Sequence, residues 1–160
     1  MDPRITSLAE TLRLNTRLFR NCLDGFEEGK CRARPTPTAN SAAYVAAHLV
    51  ESRFYLLGLM GAERTSPLGE RVGRRGIEEI TAWPTLDEIQ AAWTEVSGGL
   101  DGRLSKLTAP ELDKASDSKL PMETPTTLGV LGFLVQHDSY HLGQLSLLRS
   151  AAGLPAMKYS

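Results

Sequence analysis

Along four stretches of the chain, apolar side chains recur at intervals of three, four and seven. That is the period of a helix with one buried face. The first stretch runs from about Pro3 to Leu23, with Ile5, Leu8, Leu12, Phe19 and Cys22 on its stripe. Asp2 suits its cap and Pro3 its first turn, where no amide donor is needed. The second runs from about Ser41 to Met60 and is the most apolar part of the chain; Asn40 is its expected cap and Gly61 its stop. The third starts after Pro84, where Thr85 and Glu88 have capping-box spacing. Its buried face reads Leu86, Ile89, Ala92, Trp93, Val96, Leu100 and Leu104, and Gly98 and Gly99 mark a place for a kink. The fourth runs from about Thr127 to Ala152 and is closed by Gly153 and Pro155. Between the first two, the polar run from Glu27 to Thr38 reads as loop, and Thr108 with Pro110 opens a short helical turn. No stretch alternates with the period of a strand.

Four helices of ~20 residues, each with one apolar face, predict an all-α fold, a four-helix bundle. Residues 1–160 are expected to form a single domain of this kind. Residues 62–84 lack periodicity and are rich in glycine and charge. A segment of that length, at ~3.3 Å per extended residue, reaches past the end of a ~30 Å helix. It therefore allows a long crossover with the second and third helices parallel; a partly ordered hairpin is the alternative.

Composition narrows the function. Lys and Arg total 18 against 19 Asp and Glu, a net charge of -1. A nucleic-acid partner is not expected, because phosphate contacts supply most of such affinity and call for a basic surplus. Arg71, Arg74 and Arg75 make a local basic patch that reads as a solvated loop. No apolar run reaches the ~20 residues of a membrane span, and the first ten residues lack an export signal. A cytoplasmic protein without a membrane partner is expected. Cys22 and Cys31 form no C-x-x-C pair and read as inert or surface thiols.

Candidate chemistry sits in the fourth stretch. His137 and His141 lie four residues apart, on the stripe Val130, Leu134, His137, His141, Leu145 and Leu148. Residues so spaced point the same way, about 6 Å apart along the axis. The third histidine, His48, lies in the middle of the most apolar helix. Buried neutral imidazoles need partners, and a divalent metal takes a lone pair from each. Three histidines with an open position make the ligand count of a catalytic metal site. A hydrogen-bonded trio without metal is the other reading. Glu51, one turn after His48, is a candidate base, and Asp138, one turn before His141, a candidate orienting partner; Gln144, Tyr140 and Tyr55 are candidates for the mouth of a site. No H-E-x-x-H, phosphate loop or G-x-S-x-G elbow occurs.

"SAAYVAAHLVESRFYLLGLMG" and, far downstream, "HDSYHLGQLSLLRSAAGLP" resemble the second and last helices of the DinB/YfiT-like superfamily of bacterial metal-binding proteins. The resemblance implies an up-down-down-up bundle with a long crossover between helices 2 and 3. It implies one divalent metal ion, nickel, zinc or iron, held by His48, His137 and His141, and a homodimer. It also implies a transferase chemistry, in which a metal-activated low-molecular-weight thiol such as bacillithiol or mycothiol, or else water, attacks a small-molecule electrophile. Thiol S-transferase or hydrolase activity, with Glu51 as base, is one expectation. A non-enzymatic metal-bound module that binds a small ligand or a protein is the other.

Overall fold

Each of the four periodic stretches forms a helix for the reasons its sequence supplies. A computed structural model describes residues 1–62, 64–123 and 125–159. Glu63 of the segment between the second and third long helices, Thr124 of the loop before the last helix, and Ser160 lie outside the described residues. Seven α-helices occur among the described residues: α1 (Thr6–Leu23), α2 (Glu28–Arg32), α3 (Ala42–Leu59), α4 (Gly69–Val72), α5 (Leu86–Leu104), α6 (Ala109–Asp113) and α7 (Thr127–Ala151). No strand accompanies them among those residues, and the fold is all-helical.

The helix starts are chemically explicit. Asp2 accepts from the Arg4 amide and opens a 3-10 turn, Pro3–Ile5, that leads into α1. Ser41, rather than Asn40, caps α3 by accepting from the Tyr44 amide at 3.2 Å. The expected box before α5 is complete: the Thr85 hydroxyl accepts from the Glu88 amide, and the Glu88 carboxylate accepts from the Thr85 amide. α5 runs unbroken through Gly98 and Gly99. Gly99 has a packing reason, since a Cβ there would stand 3.0 Å from Leu57 Cδ2. α2 and α4 replace what reads as loop in the sequence.

The long helices pack around a ring, α1 on α7, α7 on α3, α3 on α5 and α5 on α1. Matched residues fix how they lie. Between α3 and α5, Arg53 meets Ser97, Leu57 meets Gly99, and Arg103 reaches the Met60 carbonyl. Between α1 and α7, Asn15 meets Ser139 and Cys22 meets Leu142. Between α1 and α5, Arg13 meets Asp101 and Arg20 meets Thr94. Every residue expected on the buried face of α5 is buried. Both cysteines are buried too, and burial pushes the thiols up to about 11 for Cys22 and about 12 for Cys31, so they stay protonated and inert.

One charged group lies at the centre of the ring. Arg53 is 2% exposed. Its guanidinium donates to Asp138 at 2.8 Å, to Thr16 and Ser97 at 2.7 Å, and to the Leu12 carbonyl at 3.2 Å. It also lies 3.7 Å over the Trp93 ring, which stacks on Phe19. A single side chain of α3 thus bonds to each of the other three long helices. At the far end Arg149 does similar work. It donates to the Cys22, Asp24 and Pro155 carbonyls and so serves the carbonyl end of α1, where a cation is favoured. No helix among the described residues is long and apolar enough to cross a membrane.

Candidate metal centre

α3 contributes His48, and α7 contributes His137 and His141 from consecutive turns of one face. The structure brings all three together. His137 Nε2 stands 3.1 Å from both His48 Nε2 and His141 Nε2. One ligand nitrogen from each ring lies within 4.8 Å of the others. The rings meet edge to face, with interplanar angles of 61°, 70° and 73°.

The donor set can be tested without reference to any ion. His141 Nδ1 lies 2.6 Å from Gln144 Oε1, and the Gln144 amide nitrogen donates to the Tyr140 hydroxyl at 3.2 Å. That arrangement makes Nδ1 the protonated nitrogen of His141 and leaves its Nε2 lone pair aimed at the other rings. Hydrogen bonding alone serves the trio poorly. A proton on His137 Nε2 meets two neighbours at 3.1 Å only by sharing one bond between them. His137 Nδ1 is buried with no partner among the described residues. A cation, by contrast, takes three lone pairs at once. Nitrogens ~2.0–2.1 Å from a tetrahedral zinc stand ~3.3 Å apart, close to the 3.1 Å that separates His137 Nε2 from each of the other two.

Burial keeps these rings neutral, the state a ligand requires. Desolvation, aided by His141, lowers His48 to about 4; desolvation, aided by His141 and His48, lowers His137 to about 4. His141 is lowered too by burial, which outweighs the opposing hydrogen bond to Gln144. The cluster fits a divalent metal.

Around it lies a groove of about 900 Å³. His48 and His137 line it, with Phe54, Tyr55, Phe133 and Leu134 as apolar wall. A smaller cavity of about 310 Å³ adjoins on the Tyr44 side and shares His48 and Glu51. Glu51 is half-buried, and burial raises its carboxyl against a hydrogen bond from the Ser66 hydroxyl to Oε1. Its Oε2 faces Gly69 and Gly73, where an added Cβ would approach to 3.5 and 3.4 Å. A Cβ at Gly73 would also collide with the Gly69 carbonyl at 2.6 Å, so this close turn requires glycine.

A family model described as the DinB superfamily matches residues 11–145. The chain belongs to the DinB superfamily. The fold agrees with solved structures: a DinB-like protein from Bacillus cereus ATCC 10987 superposes with a TM-score of 0.76 at 18% identity, covering 96% of each chain. A conserved protein from Enterococcus faecalis superposes with a TM-score of 0.75 at 14% identity, covering 92% of this chain and 96% of that one. At such identities the likeness is one of fold alone. A search of curated proteins finds no match.

Two sequence expectations change in this DinB-superfamily chain. Asp138 does not orient His141; its carboxylate points into the core and pairs with Arg53. Burial pushes the Asp138 carboxyl up, and the guanidinium pulls it back. The partner that holds His141 is Gln144, three residues on, a spacing that places side chains side by side on a helix. Tyr55 does line the groove, where its hydroxyl meets Ser118. Arg53 carried a signal in the sequence, as the one cation inside the most apolar helix.

Proposed function

We propose that the chain is a metal-dependent enzyme of the thiol S-transferase or hydrolase kind, acting on a small electrophile. The observation that carries this reading is the convergence of three neutral imidazoles beside an open groove that also holds a carboxylate. His48, His137 and His141 are the ligands, through Nε2 in each case. A bound divalent cation such as nickel, zinc or iron supplies the acidity that makes a coordinated water or low-molecular-weight thiol nucleophilic at neutral pH. Gln144 fixes the tautomer and angle of His141. Glu51 takes the proton that the nucleophile gives up, at Oε2, since Oε1 is engaged by Ser66. Its upward shift brings the carboxyl closer to neutral pH, which suits a base. Phe133 lies beside His137, its ring centroid 6.4 Å away, and adds to the apolar wall of the groove.

The same reading covers residues 1–160 as one bundle domain in up-down-down-up order. The rising pairs 53–97, 57–99 and 60–103 support parallel α3 and α5. The falling pairs 13–101 and 20–94 support antiparallel α1 and α5. Tyr140 and Leu147, 59% and 71% exposed on α7, support a homodimer.

Elemental analysis of untagged protein tests the metal, and cobalt substitution tests the thiol. Near-stoichiometric metal, a chelator-dependent loss of melting temperature absent in His137→Ala, and a cobalt spectrum that shifts on adding thiol are expected. Protein that purifies without metal and melts alike with and without chelator refutes the ligand assignment. A cobalt spectrum blind to thiols, together with no hydrolysis by the loaded protein, refutes the enzyme.

A further inference from the structure

The basic patch of the sequence lies beside the groove, and its arginines differ in what they do. Arg71 is committed to Glu88 through two bonds, of 2.9 and 3.1 Å. The guanidinium groups of Arg74 and Arg75 have no hydrogen-bond or ion-pair partner among the described residues. Among the same residues every other arginine except Arg17 has one, from Arg4 on α1's threshold to Arg149 on α7. Arg74 lines both the 900 Å³ groove and the adjoining cavity. Its backbone has φ 55°, the one left-handed residue other than glycine among those described. The turn that carries it is fastened on two sides, by Arg71 to Glu88 on α5 and by the Tyr44 hydroxyl, which donates to the Arg75 carbonyl at 3.0 Å. Lys119, also without a side-chain partner among the described residues, lines the groove from the loop before α7. The opposing charges are Asp117, which is exposed, and Glu51, which Ser66 engages. Arg64 at the rim is committed to Glu95.

We propose that Arg74, with Arg75 and Lys119 beside it, holds the carboxylate or phosphate of a small acidic substrate at the mouth of the histidine groove. This rests on the reading above that a substrate enters this groove. A guanidinium fork matches the two oxygens of either group, and a wall that contains Phe54, Phe133 and Leu134 strengthens the attraction by excluding water. The anionic end is held at the rim, and the electrophilic end faces the imidazoles. No bond forms or breaks in this step.

The test is calorimetric titration of the full chain, as purified and again after chelator treatment, with succinate, inorganic phosphate and uncharged succinamide. Saturable one-to-one binding of succinate or phosphate at millimolar concentration is expected in both forms, and none of succinamide. Which anion binds more tightly distinguishes carboxylate from phosphate. Arg74→Gln is expected to weaken binding about tenfold, and Arg74→Lys by less. Arg17→Gln, which removes another exposed charge without a partner among the described residues, leaves it unchanged. Equal binding by wild type and Arg74→Gln overturns the proposal, as does an equal loss in Arg17→Gln, binding confined to the metal-loaded form, or no saturable binding. Because one arm lacks metal, failure here leaves the ligand assignment standing, and a protein found without metal leaves this titration readable.

Discussion

Replacing Asp138 by Asn removes one charge and almost no volume from the centre of the bundle. Arg53 would then keep its guanidinium at 2% exposure with Thr16, Ser97 and the Leu12 carbonyl but no counter-ion. Breaking a buried pair by deleting one member costs about 3–5 kcal/mol, because the survivor remains charged and desolvated. Against a total stability of about 5–15 kcal/mol that is a large share. At roughly 2–4 °C per kcal/mol for a domain of this size, the melting temperature should fall by about 10 °C. Urea and thermal unfolding followed by circular dichroism measure it. A cycle with Arg53→Met separates the pair from the rest of the network. Arg53→Met with Asp138→Leu should be more stable than Asp138→Asn alone, since an apolar pair leaves no buried charge, although Ser97 loses a partner. An Asp138→Asn variant within about 1 kcal/mol of wild type, with no coupling in the cycle, would show that the pair is solvated and refute this account.

Acid should act through the histidines. His48 and His137 titrate at about 4 in the metal-free fold against ~6.5 when unfolded, so the unfolded chain binds protons first. Stability should therefore be level above pH 7 and fall as pH drops from ~6.5 to ~4, and His137→Ala should shallow that fall in urea midpoints recorded against pH. Gln144→Leu frees His141 Nδ1, and metal affinity measured by competition with a chelator should drop ~10–100-fold with little change in the metal-free melt. The two adjacent glycines of α5 should part company. Gly98→Ala meets open space and should gain up to ~1 kcal/mol, whereas Gly99→Ala must displace the buried Leu57 and should be the less stable of the two by chemical denaturation.

The long helices were legible because each repeats its apolar face over four or more turns, and because Thr85 with Glu88 and Gly153 mark ends by local chemistry. α2 and α4, at five and four residues, are too short to show a period. Ser41 outdid Asn40 as a cap by one residue, within the usual slack of helix ends. The histidine cluster was legible in part, since the spacing of His137 and His141 is a local fact and His48 stood out in an apolar helix. What spacing cannot convey is the pairing of distant helices. The sequence puts Asp138 beside His137, but only the packing of α3 on α7 turns its carboxylate to Arg53. In the sequence Gln144 reads as a candidate for the mouth of a site and not as the hydrogen-bond acceptor of His141, because the tautomer depends on the third partner, Tyr140.

His48 and His137 stand 89 residues apart along the chain. On the ribosome the first imidazole emerges alone, and the other two arrive only as the last helix is made. A growing polypeptide therefore cannot capture an ion through this trio until translation has passed His141, so the choice of any ion held there would fall to the folded bundle and to whatever ion is free in its surroundings at that moment.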